Sequence, residues 1–359
     1  MRQLRIPFYA SLPLLILIVF VGTSVYSQSG RRKDQVKAPR VGPGPVADPT
    51  VPGNRPASSK PTSKTGKSSV EEVHESDIIR VSSVLVPIPA SVVDPKGVAI
   101  TGLQLEDFEL WVDGQVRPLS ALTRSETPVR MAMLFDNSGS LDAAREFEKR
   151  AAVDFFRKVM RPKDEAAVFS IETDSYLAQP LTNDVARLEQ TILGFGRPAG
   201  STSLFDAVID AAAYLRPYGG RRVLKIVSDG IETTSQADFA TTMQRVLYDD
   251  CQIFIVQTGL YEGANLRALA AERRMEELAS QTGGAAFIPK TTADLEHAFE
   301  QIAADLAQQY VLSYYPGEQQ RDGRFHPLEL KLKTRKDIRV RSRKGYYSRK
   351  PSSVATNDW

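Results

Sequence analysis

Oxygen-bearing side chains occur in three turn-like segments in the middle of the chain, and their types suit a divalent metal ion. The first segment is Asp136-Asn137-Ser138-Gly139-Ser140, the second contains Thr202, and the third contains Asp229. Carboxylate and hydroxyl oxygens, without nitrogen or sulfur, are the ligands that Mg²⁺, Mn²⁺ and Ca²⁺ prefer. Two aspartates roughly neutralise such an ion without saturating it, so the ion can accept one more anionic oxygen from a partner. The metal-site residues that we predict are Asp136, Ser138, Ser140, Thr202 and Asp229.

The composition excludes most other kinds of site. The chain has one cysteine, Cys251, which excludes an internal disulfide and a cysteine-rich metal centre. Its three histidines are scattered and leave little for a histidine-based mechanism. Its 46 Lys and Arg against 43 Asp and Glu give a net charge of +3, too small to indicate a general nucleic-acid binder. Hydrophobic residues make up 42% and charged residues 25%, which is normal for a globular protein.

Local capping is a plainer interpretation of the same residues. Asp136, Ser138 and Ser140 would then form an Asx turn and a helix cap, and Thr202 would be the N-cap of its helix. Their position favours the metal site instead. Buried strand-like runs end at Asp136 and at Asp229, and ligands of open α/β sheets bind outside the carboxyl ends of the strands.

Residues 127–308 alternate between strand-like and helix-like segments. Apolar strand-like runs cover residues 128–135, 165–171, 223–227, 252–257 and 285–288. Helical patterns lie near residues 147–159, 184–193, 204–215, 239–247, 266–280 and 293–306. This alternation predicts an α/β fold with a doubly wound, mostly parallel sheet that carries helices on both faces.

The segments on either side of this domain, residues 76–126 and 309–348, show the period-two pattern of strands. Strands this short need a partner for their apolar faces. We therefore predict a β-sandwich-like domain built from both flanks, with the α/β domain inserted between them. Arg339, Arg341 and Arg343 alternate along the last strand. They could form a basic binding stripe, but a solvated strand face or a charged edge is the commoner arrangement.

The N-terminal residues indicate export. Residues 1–27 have a basic start, an apolar run and small residues before residue 28, as in a signal peptide or an uncleaved membrane anchor. Residues 28–75 read as a disordered, basic, proline-rich linker. We expect a periplasmic, secreted or outward-facing anchored protein, whose N-terminus could associate with the envelope. Residues 349–359 read as a tail.

The predicted site resembles a known family. Asp136-x-Ser138-x-Ser140, Thr202 and Asp229 look like the metal-ion-dependent adhesion site of von Willebrand factor A-type (VWA) domains, with all five positions filled. The resemblance covers about residues 128–308. It implies that the two serines bind the ion directly, that Thr202 joins them in the ligand-competent state, and that the aspartates act directly or through water. The flanks also resemble secreted bacterial proteins with related A-type domains, many from Acidobacteria, whose function is poorly defined.

Two functions are consistent with this site. The first, which we favour, is a binding module without enzymatic activity, in which Mg²⁺ (or Mn²⁺ or Ca²⁺) captures an acidic group of a protein partner. The alternative is a hydrolase that uses the same ion to activate water. Water activation needs a base to receive the proton, and Glu232 is the nearest candidate. The sequence leaves the partner and the oligomeric state open.

Overall fold

The computed structural model describes residues 85–95, 98–124, 126–138, 145–197, 200–258, 266–333 and 337–348. The chain divides into two units, Met1–His74 and Glu75–Trp359, and all described residues belong to the second. The predicted signal or anchor, the linker, Ser140 and the tail lie outside the described residues. No helix within the described ranges is long and apolar enough to cross a membrane.

The described elements follow one another as strands, then alternating strands and helices, then strands again. The strands are β1 (Val86–Val93), β2 (Phe108–Val112), β3 (Gln115–Arg117), β4 (Ala121–Arg124), β5 (Val129–Asp136), β6 (Glu165–Ile171), β7 (Tyr176–Thr182), β8 (Arg221–Ser228), β9 (Cys251–Gln257), β10 (Ala285–Phe287), β11 (Tyr310–Tyr314), β12 (Phe325–Leu332), β13 (Arg339–Ser342) and β14 (Gly345–Tyr347). The helices are α1 (Arg145–Val159), α2 (Val185–Gly194), α3 (Leu204–Leu215), α4 (Phe239–Tyr248), α5 (Leu266–Thr282) and α6 (Thr292–Gln308).

Six strands form the central sheet, in the order β10-β9-β8-β5-β6-β7. The strands from β10 to β6 are parallel to their neighbours, and β7 runs antiparallel to β6. Strands β5, β8 and β9 are buried along almost their whole length. Because both of their faces are covered, their sequences are largely apolar and do not alternate strictly. The sheet confirms the predicted fold class.

Helices cover both faces of the central sheet. On one face, α1, α2 and α6 enclose a core that includes Phe155, Ile192 and Ile302. On the other face, α3, α4 and α5 enclose a second core that includes Val208 and Leu278. Strands β5 and β8 are parallel neighbours between these layers, so the loops that follow them emerge at the same edge of the sheet.

Strand β7 has no counterpart among the strands that we predict from the sequence pattern. It has no fully buried residue, contains Pro180, and pairs with β6 through register shifts. An edge strand needs ladder hydrogen bonds on one side only, so it tolerates proline and need not alternate. The residues of β7 therefore carry little strand signal.

The two flanks combine into two four-stranded antiparallel sheets, with the orders β13-β1-β11-β4 and β14-β12-β2-β3. Each sheet takes two strands from each end of the described chain. Val86 pairs with Tyr314 across β1 and β11, and Leu110 pairs with Leu330 across β2 and β12. The sheets share one apolar core, in which Ile88 is fully buried. This arrangement confirms the predicted β-sandwich-like domain built from both ends of the chain.

The arginines of the last strands connect the sandwich to the α/β domain. Arg339 is exposed, but Arg341 forms an ion pair with Asp305 of α6. Arg343 is buried, and its Nη1 donates a hydrogen bond of 2.7 Å to Asp250, beyond the end of α4. The expectation of a solvated row therefore holds for Arg339 and is wrong for Arg343, whose acidic partner lies in the other domain.

Candidate metal centre

Asp136 is the last residue of β5, and its side chain is buried, with the residue 1% exposed. Its Oδ1 accepts a hydrogen bond of 2.9 Å from the backbone N–H of Ser138, and its Oδ2 accepts one of 2.5 Å from the hydroxyl of Ser228. Burial raises the pKa of Asp136 to about 6; these hydrogen bonds lower it, and the charge of Asp229 raises it further. Each carboxylate oxygen can accept more than one interaction, so Asp136 can still face a cation or its water.

Asp229 directly follows β8 and is equally buried. Its Oδ1 accepts a hydrogen bond of 2.8 Å from the backbone N–H of Ile231, and its carbonyl oxygen accepts one of 3.1 Å from Gln257 Nε2. Gly230 has a φ of +77°, a left-handed conformation that glycine adopts without strain. The turn therefore fixes Asp229 beside the end of β5.

Thr202 is held in place through its backbone. Its N–H donates a hydrogen bond of 2.7 Å to the hydroxyl of Thr233, and its carbonyl oxygen accepts hydrogen bonds from the N–H groups of Thr233 and Thr234 at 3.0 and 3.2 Å. The N-cap of α3 is Ser203, and its hydroxyl donates to the carbonyl oxygen of Glu172. The capping interpretation is therefore wrong for Thr202.

Of the two predicted serine ligands, the structure describes Ser138 but not Ser140. Ser138 is buried, and its N–H closes an Asx turn with Asp136, so that part of the capping interpretation is correct. An Asx turn does not compete with metal binding, because it uses the backbone of Ser138 and not its hydroxyl. Ser140 lies outside the described residues, and its predicted role as a ligand stays a prediction.

Glu172, which follows β6, connects two of these loops. Its Oε1 accepts a hydrogen bond of 2.9 Å from Asn137 Nδ2, and its carbonyl oxygen accepts hydrogen bonds from the N–H and hydroxyl of Ser203. Through Glu172 the loop after β5 is connected to the segment that enters α3. Together with the bond between Ser228 and Asp136, this arrangement holds the three predicted loops at one edge of the sheet.

Arg145 supports the loop after β5 from the first turn of α1. It is buried; its Nη1 donates to the carbonyl oxygen of Asp136 at 2.5 Å, and its Nη2 donates to Asn137 Oδ1. Its guanidinium lies 4.3 Å from the centre of the Phe135 ring. Burial lowers the pKa of Arg145, and the neighbouring carboxylates partly offset this shift. The guanidinium places one positive charge beside Asp136.

Glu148, one turn further along α1, is 0% exposed. Burial raises its pKa to about 7, and the negative charges of Asp136 and Asp229 also raise it. The nearby hydroxyl of Thr258 lowers this pKa. Within the described part of the chain, however, the Thr258 hydroxyl and both carboxylate oxygens of Glu148 have no partner that meets full hydrogen-bond geometry. A buried carboxyl group without a hydrogen-bond partner therefore lies next to the predicted metal site.

Glu232, the candidate base of the hydrolase alternative, is already engaged. Its Oε1 accepts hydrogen bonds from the N–H groups of Thr234 and Ser235, and its Oε2 accepts from the N–H of Phe205 at 3.1 Å and from the hydroxyl of Ser235 at 2.7 Å. These contacts tie the loop after Asp229 to the first turn of α3. Glu232 therefore has a structural role that does not require an ion.

The residues at this edge fit a hard divalent cation. The described part of the chain contains no cluster of three or more His, Cys, Asp or Glu side chains that could hold a metal. A site here therefore depends on hydroxyl groups, supplied by Ser138 and Thr202, in addition to Asp136 and Asp229. A set of oxygen donors alone is the set that Mg²⁺, Mn²⁺ and Ca²⁺ accept.

Four supporting residues were missed by the sequence analysis. Ser228 and Glu172 stand at or directly after strand ends, so the rule that identified Asp136 and Asp229 could have found them. Arg145 and Glu148 had a weaker signal. Glu148 precedes Phe155 by seven positions, which places a charged residue on the apolar face of α1.

No protein-family model matches this chain, and a search of curated proteins finds no match either. Solved structures resemble it over about half of its length. The vWF domain of the type V pili tip protein Mfa5 from Porphyromonas gingivalis is 13% identical, with a TM-score of 0.39, and the match covers 49% of this chain and 94% of that chain.

Two further structures resemble the chain to a similar extent. An aerotolerance-related membrane protein from Bacteroides fragilis is 18% identical, with a TM-score of 0.41, and BatB from Bacteroides thetaiotaomicron is 15% identical, with a TM-score of 0.40. In both cases the match covers 49% of this chain and 98% of the other chain. Likeness at these identities and TM-scores carries no statement about activity.

Proposed function

We propose that this protein is an exported VWA-type binding module whose divalent metal ion captures an acidic group of a protein partner. The ion would be Mg²⁺, with Mn²⁺ or Ca²⁺ as alternatives. Asp136, Ser138, Ser140, Thr202 and Asp229 would hold it.

The observation that carries this proposal is the meeting of oxygen donors from three loops at one sheet edge. Asp136 is the last residue of β5, Asp229 comes directly after β8, and Thr202 lies in the segment that enters α3. The hydroxyl of Ser228 joins the first two loops through its bond to Asp136. These residues are buried, yet they include two carboxylates close enough for one to raise the pKa of the other. Two neighbouring buried carboxylates repel each other unless a cation lies between them.

The donor set supports binding of an anionic ligand. Two aspartates neutralise the charge of a divalent ion, whereas hydroxyl groups add ligands without adding charge. When bound, the ion supplies a Lewis acid that can accept a carboxylate oxygen from outside. The backbone hydrogen bonds of Thr202 with Thr233 hold its side chain at this edge, and Arg145 holds the backbone of Asp136. The protein would thus contribute ligand residues whose backbone is already held in position before the ion binds.

The partner that suits this chemistry is a protein that presents Asp, Glu or a chain terminus. The small net charge of the whole chain gives no support to nucleic acid as the partner. Export is part of the proposal and rests on the sequence of residues 1–27.

A hydrolytic function receives less support from the structure. The base that the sequence offered, Glu232, accepts four hydrogen bonds from its own loop and from α3. Binding is therefore the better-supported function.

Titration with Mn²⁺ tests the proposal. We expect wild-type protein to bind one Mn²⁺ per chain in calorimetry, and Asp136→Asn and Asp229→Asn each to weaken binding by at least about 10-fold. Asp154→Asn is the matched control, because Asp154 is an exposed aspartate on α1 whose loss removes the same charge.

Capture of a carboxylate is tested separately with immobilised poly-glutamate. Wild-type protein should be retained in the presence of Mn²⁺ and released by EDTA, and the Asp136→Asn protein should not be retained. Retention that persists in excess EDTA, or Mn²⁺ binding that Asp136→Asn leaves unchanged, would contradict the proposed function.

A further inference from the structure

A charged residue on the apolar face of α1 requires an explanation. Glu148 lies four residues before Ala152 and seven before Phe155, and all three are buried against the central sheet. Neither oxygen of Glu148 has a hydrogen-bond partner within the described ranges. Leaving a buried polar group without a partner costs about 1–3 kcal/mol, and an ionised group costs more. Native proteins rarely retain such a group unless an ion, a water molecule or a function accounts for it.

An ion pair with Arg145 does not account for Glu148. The two residues are one turn apart on α1, and the charge of Arg145 does lower the pKa of Glu148. However, the Nη atoms of Arg145 donate to Asp136 and Asn137, and its Nε has no partner among the described residues. Arg145 is therefore directed to the loop after β5 and donates no hydrogen bond to Glu148.

The position of Glu148 points to the metal site. On one side, Arg145 holds the first turn of α1 against the carbonyl oxygen of Asp136. On the other side is Thr258, whose hydroxyl lies close enough to Glu148 to lower the pKa of its carboxyl group. The N–H of Thr258 donates a hydrogen bond of 2.9 Å to the carbonyl oxygen of Ser228. Ser228 itself donates to Asp136 through its hydroxyl. Glu148 and Thr258 therefore lie directly behind the edge where Asp136 and Asp229 meet.

The electrostatic balance agrees with this position. Asp136, Asp229 and Glu148 carry three negative charges when ionised, and Arg145 carries one positive charge. These four groups sum to minus two, and Glu172, which accepts a hydrogen bond from Asn137, adds a further negative charge at this edge, so the edge attracts a cation. Mg²⁺ and similar ions also keep several of their waters when bound to proteins, and those waters need acceptors on the protein side.

We propose that Glu148 and Thr258 form an outer-sphere layer of the metal site, in which the Glu148 carboxylate accepts hydrogen bonds from water that the ion carries. This inference rests on the proposed function, because it needs an ion at the Asp136 edge. It adds two positioning residues that the resemblance to VWA domains did not supply. Outer-sphere partners of this kind orient the inner ligands and raise the affinity for the metal.

The test compares Mn²⁺ affinity with the stability of the metal-free protein. We expect Glu148→Gln to weaken Mn²⁺ binding about 10-fold in calorimetry, because the acceptor loses its charge. The same variant should melt at or above the wild-type temperature without metal, because it removes an unpaired buried carboxyl group. Glu146→Gln is the matched control: Glu146 lies on the same turn of α1 with an exposed side chain, and its variant should bind Mn²⁺ as wild type does.

A second variant tests Thr258, the other residue of the proposed outer-sphere layer. Thr258→Val keeps the shape of the side chain and should weaken Mn²⁺ binding about threefold, a smaller loss than the 10-fold typical of a charged outer-sphere group. A purely structural role for Glu148 predicts the opposite pattern, with a lower melting temperature and an unchanged affinity for Mn²⁺. That pattern would overturn this inference while leaving the proposed function intact. Wild-type protein that binds no Mn²⁺ would overturn both.

Discussion

Two polar clusters of this protein, each built around a buried ionisable residue, differ in how completely their groups are paired. In the β-sandwich, His326 has Asp113 Oδ2 at 2.9 Å from Nδ1 and Asp322 Oδ1 at 3.1 Å from Nε2. Gln320 donates to the same oxygen of Asp113 at 3.0 Å. The ring of Tyr346 stacks on the imidazole ring of His326, with 5.4 Å between the ring centroids. Each polar atom of the His326 ring thus has a partner within this cluster.

The edge that carries the predicted metal site is different. Both oxygens of Glu148, the hydroxyl of Thr258 and the Oε1 of Gln257 are buried without a hydrogen-bond partner in the described chain. Paired buried networks hold a fold together, whereas unpaired ones are costly unless a ligand completes them. This difference agrees with a structural role for the sandwich cluster and with the proposed binding role of the sheet edge.

Removing both aspartates should have the largest effect on binding. Asp136→Asn combined with Asp229→Asn should lower the affinity for Mn²⁺ by on the order of 100-fold or more and abolish the rise in Tm that Mn²⁺ produces, while each amide keeps an oxygen that can accept the existing hydrogen bonds. Without metal, the double variant should be no less stable than wild type, because two mutually repelling buried charges are gone. Differential scanning calorimetry with and without Mn²⁺ measures both quantities. An unchanged Mn²⁺-induced rise in Tm would contradict a metal site formed by Asp136 and Asp229.

Removing the central residue of the sandwich cluster should give the converse result. His326→Phe removes one hydrogen-bond partner from each of Asp113 and Asp322, whose side chains are about one-third exposed and keep other donors, so the free energy of unfolding should fall by about 1–2 kcal/mol. The affinity for Mn²⁺ should not change. Urea unfolding measures the first quantity and calorimetric titration the second. His297→Phe is the control, because His297 is exposed on α6 and should change stability by less than about 0.5 kcal/mol.

A smaller effect is expected from the tyrosine pair of the sandwich. The hydroxyl of Tyr314 donates to that of Tyr346, and Tyr346→Phe removes the acceptor. The free energy of unfolding should fall by about 1 kcal/mol, the usual net contribution of a buried hydrogen bond. Tyr315→Phe serves as the control, because Tyr315 is 57% exposed. Equal losses for the two variants in urea unfolding would argue against a paired network.

The smallest expected effect is a pH dependence at Asp322. The hydrogen bond from the backbone N–H of Arg324 lowers the pKa of Asp322, and hydrogen bonds from His326 and Ser348 add to this shift. The ionised form therefore favours the folded state. Its contribution is complete above the unfolded pKa of about 3.9 and is lost as the pH falls through the lower folded value.

Asp322→Asn should therefore be less stable than wild type at pH 7, and the difference should shrink at pH 3. Urea midpoints at the two pH values measure the difference, with Asp154→Asn as an exposed control. A stability difference between wild type and Asp322→Asn that grows as the pH falls would contradict the stabilising role of ionised Asp322.

The sequence predicts most of the fold because burial leaves a strong pattern in these elements. Val129–Asp136 is buried on both faces and is continuously apolar, while the strand Phe325–Leu332 alternates strictly between exposed and buried residues up to Lys331. The edge strand Tyr176–Thr182 has neither pattern, which is why it escaped prediction. The ion pairs of Arg341 and Arg343 depend on residues distant in sequence, and no local pattern announces them.

The candidate site shows the same division. Asp136, Thr202 and Asp229 could be found because strand ends and turns mark their positions along the chain. Glu148 and Thr258 became visible only in three dimensions, because their significance lies in the hydrogen bonds that they lack within the described chain. A charged residue at an apolar helix position is the one sequence signal that pointed to Glu148.

Whether an ion binds between Asp136 and Asp229 can be tested directly with crystals of this protein soaked in Mn²⁺. Diffraction data would be collected at wavelengths on either side of the manganese absorption edge. The account predicts one anomalous difference peak between the carboxylates of Asp136 and Asp229, absent from crystals of the Asp136→Asn protein. Density for ordinary water alone at that position, in a lattice that leaves the edge open to solvent, would contradict it.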